Sequence, residues 1–153
     1  MNLISYASKH VDFYTYLDRL FVAAPELEGY TYLITEVEIN RGQHILLNSD
    51  PVVISGRELR HIVESEDIQF IWAVLSAFSG EVTIPEDLPF ADMNGELWTT
   101  TVKPQIEESD FEIVCWDSTA TLFIGIDDSV ASKLSAYDPD IQSLDNYVEK
   151  NLG

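Results

Sequence analysis

Residues 68–78, IQFIWAVLSAF, form the most apolar stretch of the chain and decide its fold. β-Branched and aromatic side chains dominate this stretch, which favours a strand over a helix. Apolar residues at nearly every position are typical of a strand that is covered on both faces. We therefore predict the central strand of a sheet that has other structure packed on each side.

The chain before this strand predicts a helix and then a hairpin. Apolar residues recur at three- and four-residue steps and predict a helix that ends at Pro25. The apolar positions of this helix are Val11, Tyr14, Leu17, Leu20 and Phe21. Residues 30–39 are rich in aromatic and β-branched side chains and predict a strand with one wet face. We expect this strand to pair with residues 44–47 across a turn at 40–43.

A second helix follows a short predicted strand at 52–54. Ser55 and Glu58 have the spacing of a capping box, in which the serine side chain accepts a hydrogen bond from the backbone three residues later. This spacing predicts a helix that begins after Ser55 and runs to about Ser65. Its buried side is supplied by Leu59, Ile62 and Val63.

Residues 80–110 contain three prolines and one internal glycine and predict few regular elements. We expect short strands at 82–84 and 97–102, separated by an exposed acidic loop at 86–96. Long loops are uncommon in compact domains unless they are functional or disordered. The loop is therefore a candidate recognition surface.

The last part of the chain predicts a second hairpin and two helices. Residues 111–116 and 120–126 are apolar runs joined by three polar residues, a connection that suits a hairpin. Residues 127–129, Asp-Asp-Ser, supply the cap of a predicted helix that runs to about Ala136. A final helix to Lys150 is supported by Ile141, Leu144 and Val148.

This order of elements predicts an α+β fold. We expect a mostly antiparallel sheet of about five to seven strands with three or four helices packed on it. A length of 153 residues fits one domain, and the chain has no linker or repeat that would divide it. We therefore treat residues 1–153 as a single domain.

The acidity of the chain limits the partners it can bind. Twenty-seven acidic residues against eight basic ones give a formal charge of −19. Residues 1–80 carry 11 acids and 5 bases, a net −6, whereas residues 81–153 carry 16 and 3, a net −13. This charge opposes direct binding to nucleic-acid phosphates or to an anionic membrane, and it attracts a basic partner. A solvated acidic surface, as in a protein from a salt-tolerant source, would give the same composition.

Cysteine usage and the N-terminus favour a cytoplasmic protein. Cys115 is the single cysteine, which excludes an internal disulfide, and its apolar surroundings in the sequence predict a buried strand residue rather than a nucleophile. Residues 1–5 lack the basic region and apolar run of a signal peptide. No apolar run approaches the length of about 20 residues that crosses a membrane.

The chain carries no motif that selects a catalytic, cofactor or metal site. Its three histidines, His10, His44 and His61, fall on separate predicted elements without metal-ligand spacing. Residues 138–149 begin like a calcium-binding loop but have Ser143 where that loop needs glycine. Nucleophile elbows and phosphate-binding glycine patterns are missing. We accordingly predict no enzyme activity, no metal and no cofactor.

The small size, the strong negative charge, the mixed α+β pattern and the missing catalytic motif resemble the bacterial immunity proteins of contact-dependent and polymorphic toxin systems. The resemblance implies a partner that is a basic toxin domain, such as a nuclease, whose active cleft the immunity protein covers. It rests on architecture and composition, so it assigns no functional residue.

Candidate binding residues come from the predicted acidic loop and its flanks instead. They are Asp87, Asp92, Glu96, Trp98, Glu107, Glu108 and Asp110, with Trp98 as an aromatic anchor. Two other functions remain open at this point. One is a small enzyme with a carboxylate or divalent-metal site, and the other is a nucleic-acid mimic whose carboxylates are spaced like phosphates. The oligomeric state also remains open.

Overall fold

One antiparallel sheet organises the molecule. A computed structural model describes residues 1–6, 15, 17–41, 44, 47 and 49–152. Its strands within these residues are β1 (Leu3–Tyr6), β2 (Thr31–Ile39), β3 (Val52–Ser55), β4 (Phe70–Phe78), β5 (Phe111–Trp116), β6 (Ala120–Ile124) and β7 (Gln142–Ser143). They lie in the order β3-β2-β4-β5-β6-β1-β7, and every neighbouring pair is antiparallel. The predicted α+β class is confirmed.

Three helices cover one face of this sheet, and a fourth helix packs on the other. They are α1 (Leu20–Ala23), α2 (Gly56–Ser65), α3 (Asp128–Tyr137) and α4 (Leu144–Asn151) in the described part of the chain. The first three pack against Ala73, Leu75 and the other residues of β4 that share their face. The opposite face, with Val74, is covered by α4 and by residues 79–110. The prediction that β4 is buried on both faces is confirmed.

The predicted helix caps are also confirmed. The Ser55 hydroxyl accepts a hydrogen bond from the Glu58 backbone N–H at 3.1 Å, and α2 begins at the next residue. The Asp127 carboxylate accepts one from the Val130 N–H at 2.8 Å at the start of α3. Each cap satisfies a backbone donor that the helix itself leaves without a partner.

The predicted hairpin at 30–47 is wrong in its second strand. β2 pairs with β3 on one side, where Thr31 lies opposite Ser55, and with β4 on the other. His44 and Leu47 lie in a turn, with the Leu47 N–H donating to the His44 carbonyl at 2.8 Å. Residues 45 and 46 lie outside the described residues. The strand that pairs with β2 at this edge is the next apolar run along the chain, β3, which lies beside Thr31–Ile34.

The predicted strands at 82–84 and 97–102 are wrong as well. Residues 79–110 contain no strand, and Gly95–Trp98 is a 3-10 helix. The neighbouring strand β4 is paired on both sides, so it offers no edge to which a further strand could add. The segment instead runs over the face of the sheet. The acids predicted to be exposed there are exposed, whereas Ala91 and Asn94 of the same segment are buried.

The sequence does not predict the two short strands β1 and β7. β1 and β7 have four and two residues, too few to show a periodic pattern. Positions 8–14 of the predicted first helix lie outside the described residues. Thr15, with a positive φ of 61°, and residues 17–19 are not helical, so the prediction is wrong there, and α1 is the helical turn that follows. Pro25 does end that helix, as predicted, and begins a 3-10 helix through Gly29 in place of the expected polar turn.

Candidate functional site

The segment of residues 79–110 is tied to the sheet by side-chain hydrogen bonds to its backbone. Glu36 interrupts the register of β2 with a positive φ of 55°, and its carboxylate accepts the backbone N–H groups of Ala91 and Asp92. The Thr35 hydroxyl donates to the Pro89 carbonyl at 2.8 Å. Because these donors and acceptors come from the sheet, the segment has a fixed position over it.

Gln105 holds the centre of the same segment. Its side-chain amide accepts from the Phe90 N–H at 3.1 Å and donates back to the Phe90 carbonyl at 3.1 Å, as a paired strand would. The Gln105 backbone N–H donates to Glu112 Oε2 at 2.8 Å, and its side chain donates to Glu112 Oε1 at 3.3 Å. The middle of the segment is thereby connected to β5.

Glu112 is a fully buried acid on the face that this segment covers. Burial raises the pKa of its carboxyl to about 7, and the two hydrogen bonds from Gln105 partly oppose that rise. Ser76 lies directly opposite Glu112 in the pairing of β4 with β5, and its buried hydroxyl has no hydrogen-bond partner among the described residues. The Ser76 hydroxyl therefore destabilises the fold, because a buried polar group without a hydrogen bond loses its hydration without compensation.

Five aromatic rings form a continuous series on the same face, which we call the aromatic row. The row runs Trp72, Trp116, Trp98, Tyr147, Tyr6 and includes all three tryptophans of the chain. Successive ring centroids are 5.0, 5.0, 6.2 and 5.8 Å apart. Three of these contacts are edge-to-face, the arrangement that the ring quadrupoles favour. Every ring is partly exposed to solvent, and Tyr6 is 42% exposed.

Backbone structure fixes the rings of the row. Trp72 and Trp116 belong to the paired strands β4 and β5, and a turn with positive φ at Asp117 and Ser118 follows Trp116 at once. The Ser118 N–H donates to the Ile71 carbonyl at 3.0 Å, which ties that turn to β4 beside Trp72. The positions of Trp72 and Trp116 in the row are therefore fixed by the fold itself and do not depend on a partner.

Trp98 is the last residue of the 3-10 helix at Gly95–Trp98, which places its ring in the row. The side-chain oxygen of Asn94 accepts from the Glu96 N–H at 3.2 Å and caps that helix. Asn94 also donates to Gln105, so the cap is part of the network that fixes the segment. Tyr147 comes from α4, and the Asp145 carboxylate on that helix accepts from the Thr101 N–H at 2.9 Å.

Acidic residues flank the aromatic row. Glu38 lies opposite Trp72 in the sheet, and residues directly opposite share a face. The other flanking acids are Glu96, Asp117 and Asp145, each within two residues of a ring of the row. Glu38, Glu96 and Asp117 are exposed, and Asp145 is half-buried.

The ion pairs among the described residues lie away from the aromatic row. In the described part of the chain, the paired acids are Glu26, Glu28, Glu64 and Glu66. Residues 79–118 hold ten acids and one base, Lys103. No ion pair neutralises those ten acids within the described residues. This side of the sheet therefore presents negative charge and aromatic surface together.

The structure separates the candidate residues predicted from the sequence into two groups. Trp98 is in the aromatic row, and Glu96 and Asp92 lie on the same part of the segment. The others are exposed: Asp87 lies further back along the segment, and Glu107, Glu108 and Asp110 precede β5. Asp110 accepts from the Ser79 N–H at 2.7 Å at that end. Six residue steps of extended chain separate Asp110 from Trp116, a distance of about 20 Å.

Sequence reasoning missed the other four rings of the row. Trp72 and Trp116 fall in apolar runs and are typical of core residues there, and nothing in the sequence pairs them with Tyr147 or Tyr6. The one available signal was position, because Trp116 ends its strand and Trp72 stands near the beginning of β4.

Other chemistry has little support in the described residues. No three His, Cys, Asp or Glu side chains among them come together as metal ligands. The segment that begins like a calcium loop is instead β7 followed by α4, and the buried Asp138 accepts a hydrogen bond from Ser5 at 2.8 Å. Cys115 is buried in β5, as predicted, and burial raises the pKa of its thiol. None of the described helices is both long and apolar enough to span a bilayer.

Comparison with known proteins adds no relative to this description. No family model, no curated protein and no solved structure matches the chain.

Proposed function

We propose that this protein binds a basic protein partner through the aromatic row and the carboxylates that flank it. The observation that supports this most strongly is the row itself, in which five partly exposed rings lie among acids that have no ion-pair partner within the described residues. Tryptophan and tyrosine are the residues most enriched at the energetic centres of protein interfaces.

The rings and the carboxylates have different tasks in this proposal. Rigid aromatic side chains supply contact area at little entropic cost, since they are already ordered by their neighbours. The carboxylates raise the association rate with a basic surface and reject acidic ones. A charge of −13 in the second part of the chain gives this steering its range.

The partner class that fits best is a basic toxin domain such as a nuclease. A nuclease must attract phosphate, so the entrance to its active cleft is basic. An acidic protein that covers this entrance blocks access of the substrate, which is the role of the immunity proteins that the composition resembles. In this proposal the protein acts in the cytoplasm, where such a toxin would find its nucleic-acid substrate.

The proposal is tested by co-expressing the chain with the product of the adjacent gene and purifying the complex. We expect a stable complex whose association rate falls about tenfold or more between 50 and 500 mM salt. An absent complex, or an association rate that is indifferent to salt, contradicts the proposal.

Two matched pairs of variants locate the interface. Trp98→Ala should weaken binding by about 30-fold, the loss of a typical hot-spot residue, whereas Met93→Ala on the same segment, at a side chain that is 91% exposed, should change it less than about threefold. Asp117→Asn should slow association, and Glu58→Gln removes the same charge from α2, on the other face of the sheet, without slowing it. Equal effects within either pair would place the interface elsewhere.

A further inference from the structure

The aromatic row combines two features that together select one kind of basic side chain. Each partly exposed ring offers a π surface to a cation, and four of the five, all except Tyr6, have a carboxylate near them in the sheet or along the chain. Resting on the function proposed above, we infer that the row recognises arginine in preference to lysine, and that the partner presents at least two arginines to it.

The guanidinium group of arginine can satisfy a ring and a carboxylate at once. It is planar, so it stacks on an aromatic ring while its N–H groups donate in pairs to a carboxylate. The lysine ammonium is a compact and strongly hydrated charge that has no plane to stack. Trp116 with Asp117, and Trp72 with Glu38 across the strand pair, are two such ring and carboxylate combinations.

The spacing of the row indicates more than one arginine. The ring centroids of Trp72 and Trp98 each lie 5.0 Å from that of Trp116. The row continues to Tyr147, whose ring centroid is 6.2 Å from that of Trp98. A single guanidinium covers only one or two of these rings. An apolar partner would bury the flanking acids without pairing them, and burying unpaired carboxylates costs free energy. These acids are Glu38, Glu96, Asp117 and Asp145.

The bases near the row do not neutralise it. Lys103 belongs to the same segment as Trp98, and Lys150 follows Tyr147 on α4 by three residues. Neither of them is in an ion pair within the described residues. The four flanking acids outnumber these two bases, so the row retains a net attraction for cations.

Two peptides of equal charge test this inference on the full chain. One alternates glycine with four arginines, and the other alternates glycine with four lysines. Both are titrated at the same ionic strength, and binding is followed by tryptophan fluorescence, which reports on the row alone because it contains every tryptophan. We expect the arginine peptide to bind about tenfold more tightly than the lysine peptide.

Variants connect that preference to the row. Trp98→Leu should reduce the preference for arginine to less than about threefold. Because the Trp98 ring is half-buried, the far-UV circular dichroism spectrum of this variant must match that of the wild type, which shows that the variant is folded. Asp117→Asn changes an exposed side chain and should lower the affinity for the arginine peptide more than that for the lysine peptide. The control Glu58→Gln, on α2, should preserve the preference.

Equal affinities for the two peptides would overturn the inference and leave the proposed function intact, since charge alone would then attract the partner. Binding of neither peptide would overturn it as well, and the proposed function would then depend on the complex with the folded partner. A preference for arginine that Trp98→Leu and Asp117→Asn both leave unchanged would show that the arginine site is elsewhere, which also contradicts the inference.

Discussion

Glu112→Gln tests the buried acid beneath the segment of residues 79–110. Glu112 is fully buried in β5, and burial raises the pKa of its carboxyl from 4.5 to about 7. An acid with a raised pKa in the folded state contributes its full stability below the pKa of the unfolded chain, and this contribution is lost as the pH rises through about 7. At about 1.4 kcal/mol per pKa unit, the loss is about 3 kcal/mol.

Glutamine does not ionise, so the variant escapes this loss. The free energy of unfolding of Glu112→Gln, minus that of the wild type, should therefore rise by about 3 kcal/mol between pH 4 and pH 8. At pH 4 we expect the variant to be the less stable protein, because its amide nitrogen would face the amide donor of Gln105 that now bonds to Glu112 Oε1. That penalty is the same at every pH and does not alter the slope.

The assay is urea unfolding followed by far-UV circular dichroism at half-unit steps of pH. The other acidic residues are common to both proteins, so their titration cancels in the difference. Glu107→Gln, at an exposed acid just before β5, is the control and should show no such rise. A difference between Glu112→Gln and the wild type that stays constant within about 1 kcal/mol from pH 4 to pH 8 would refute the reasoning.

Three further substitutions test the packing of the sheet. Ser76→Ala should raise the free energy of unfolding by about 1 kcal/mol, since it removes a buried hydroxyl without a partner; destabilisation would show that the hydroxyl is satisfied. Gly56→Ala should destabilise by about 2 kcal/mol, because a Cβ there would overlap backbone oxygens just before β2, whereas Gly80→Ala meets open space and should change stability by less than about 0.5 kcal/mol. Equal losses of stability in Gly56→Ala and Gly80→Ala would show that the backbone does not approach Gly56 this closely. Tyr32→Phe should cost about 1–2 kcal/mol through loss of the 2.6 Å hydrogen bond to the Leu27 carbonyl, and an unchanged urea midpoint would count against that bond.

Much of the sheet could be predicted from sequence because its interior strands carry strong local signals. β4 is apolar on both faces, and β5 and β6 are separated by only three residues, so neither assignment needs knowledge of distant contacts. The helices α2 and α3 have capping residues within one turn of their first apolar positions. Local chemistry decides these elements.

The partner strand of β2 could not be predicted in the same way. The run at 44–47 is nearer in sequence than β3 and equally apolar, and a short connection is usually favoured. β2 instead pairs with β3 along Thr31–Ile34, while in its second half, beyond the irregularity at Glu36, the strand that pairs with it among the described residues is β4. The choice depends on which edges the assembled sheet leaves open.

The aromatic row is the clearest case of information that the sequence does not display. Its rings come from four separate strands or helices and from the segment before β5, and the largest gap in sequence lies between Tyr6 and Tyr147. Tyr6 and Tyr147 come together because β1 pairs with β6 and with β7, and α4 follows β7 directly. The sequence singles out Trp98 because it lies in the acidic segment, whereas Trp72 and Trp116 fall in apolar runs that are typical of core strands.

The most direct test of the binding surface is a ¹H–¹⁵N spectrum of the indole groups, recorded with and without the partner. The chain has three tryptophans, and all of them lie in the aromatic row, so their three indole signals report on this surface and nothing else. The proposed function predicts that all three signals shift or broaden when the basic partner is added. Unchanged indole signals in a complex that shifts backbone amides elsewhere would contradict it.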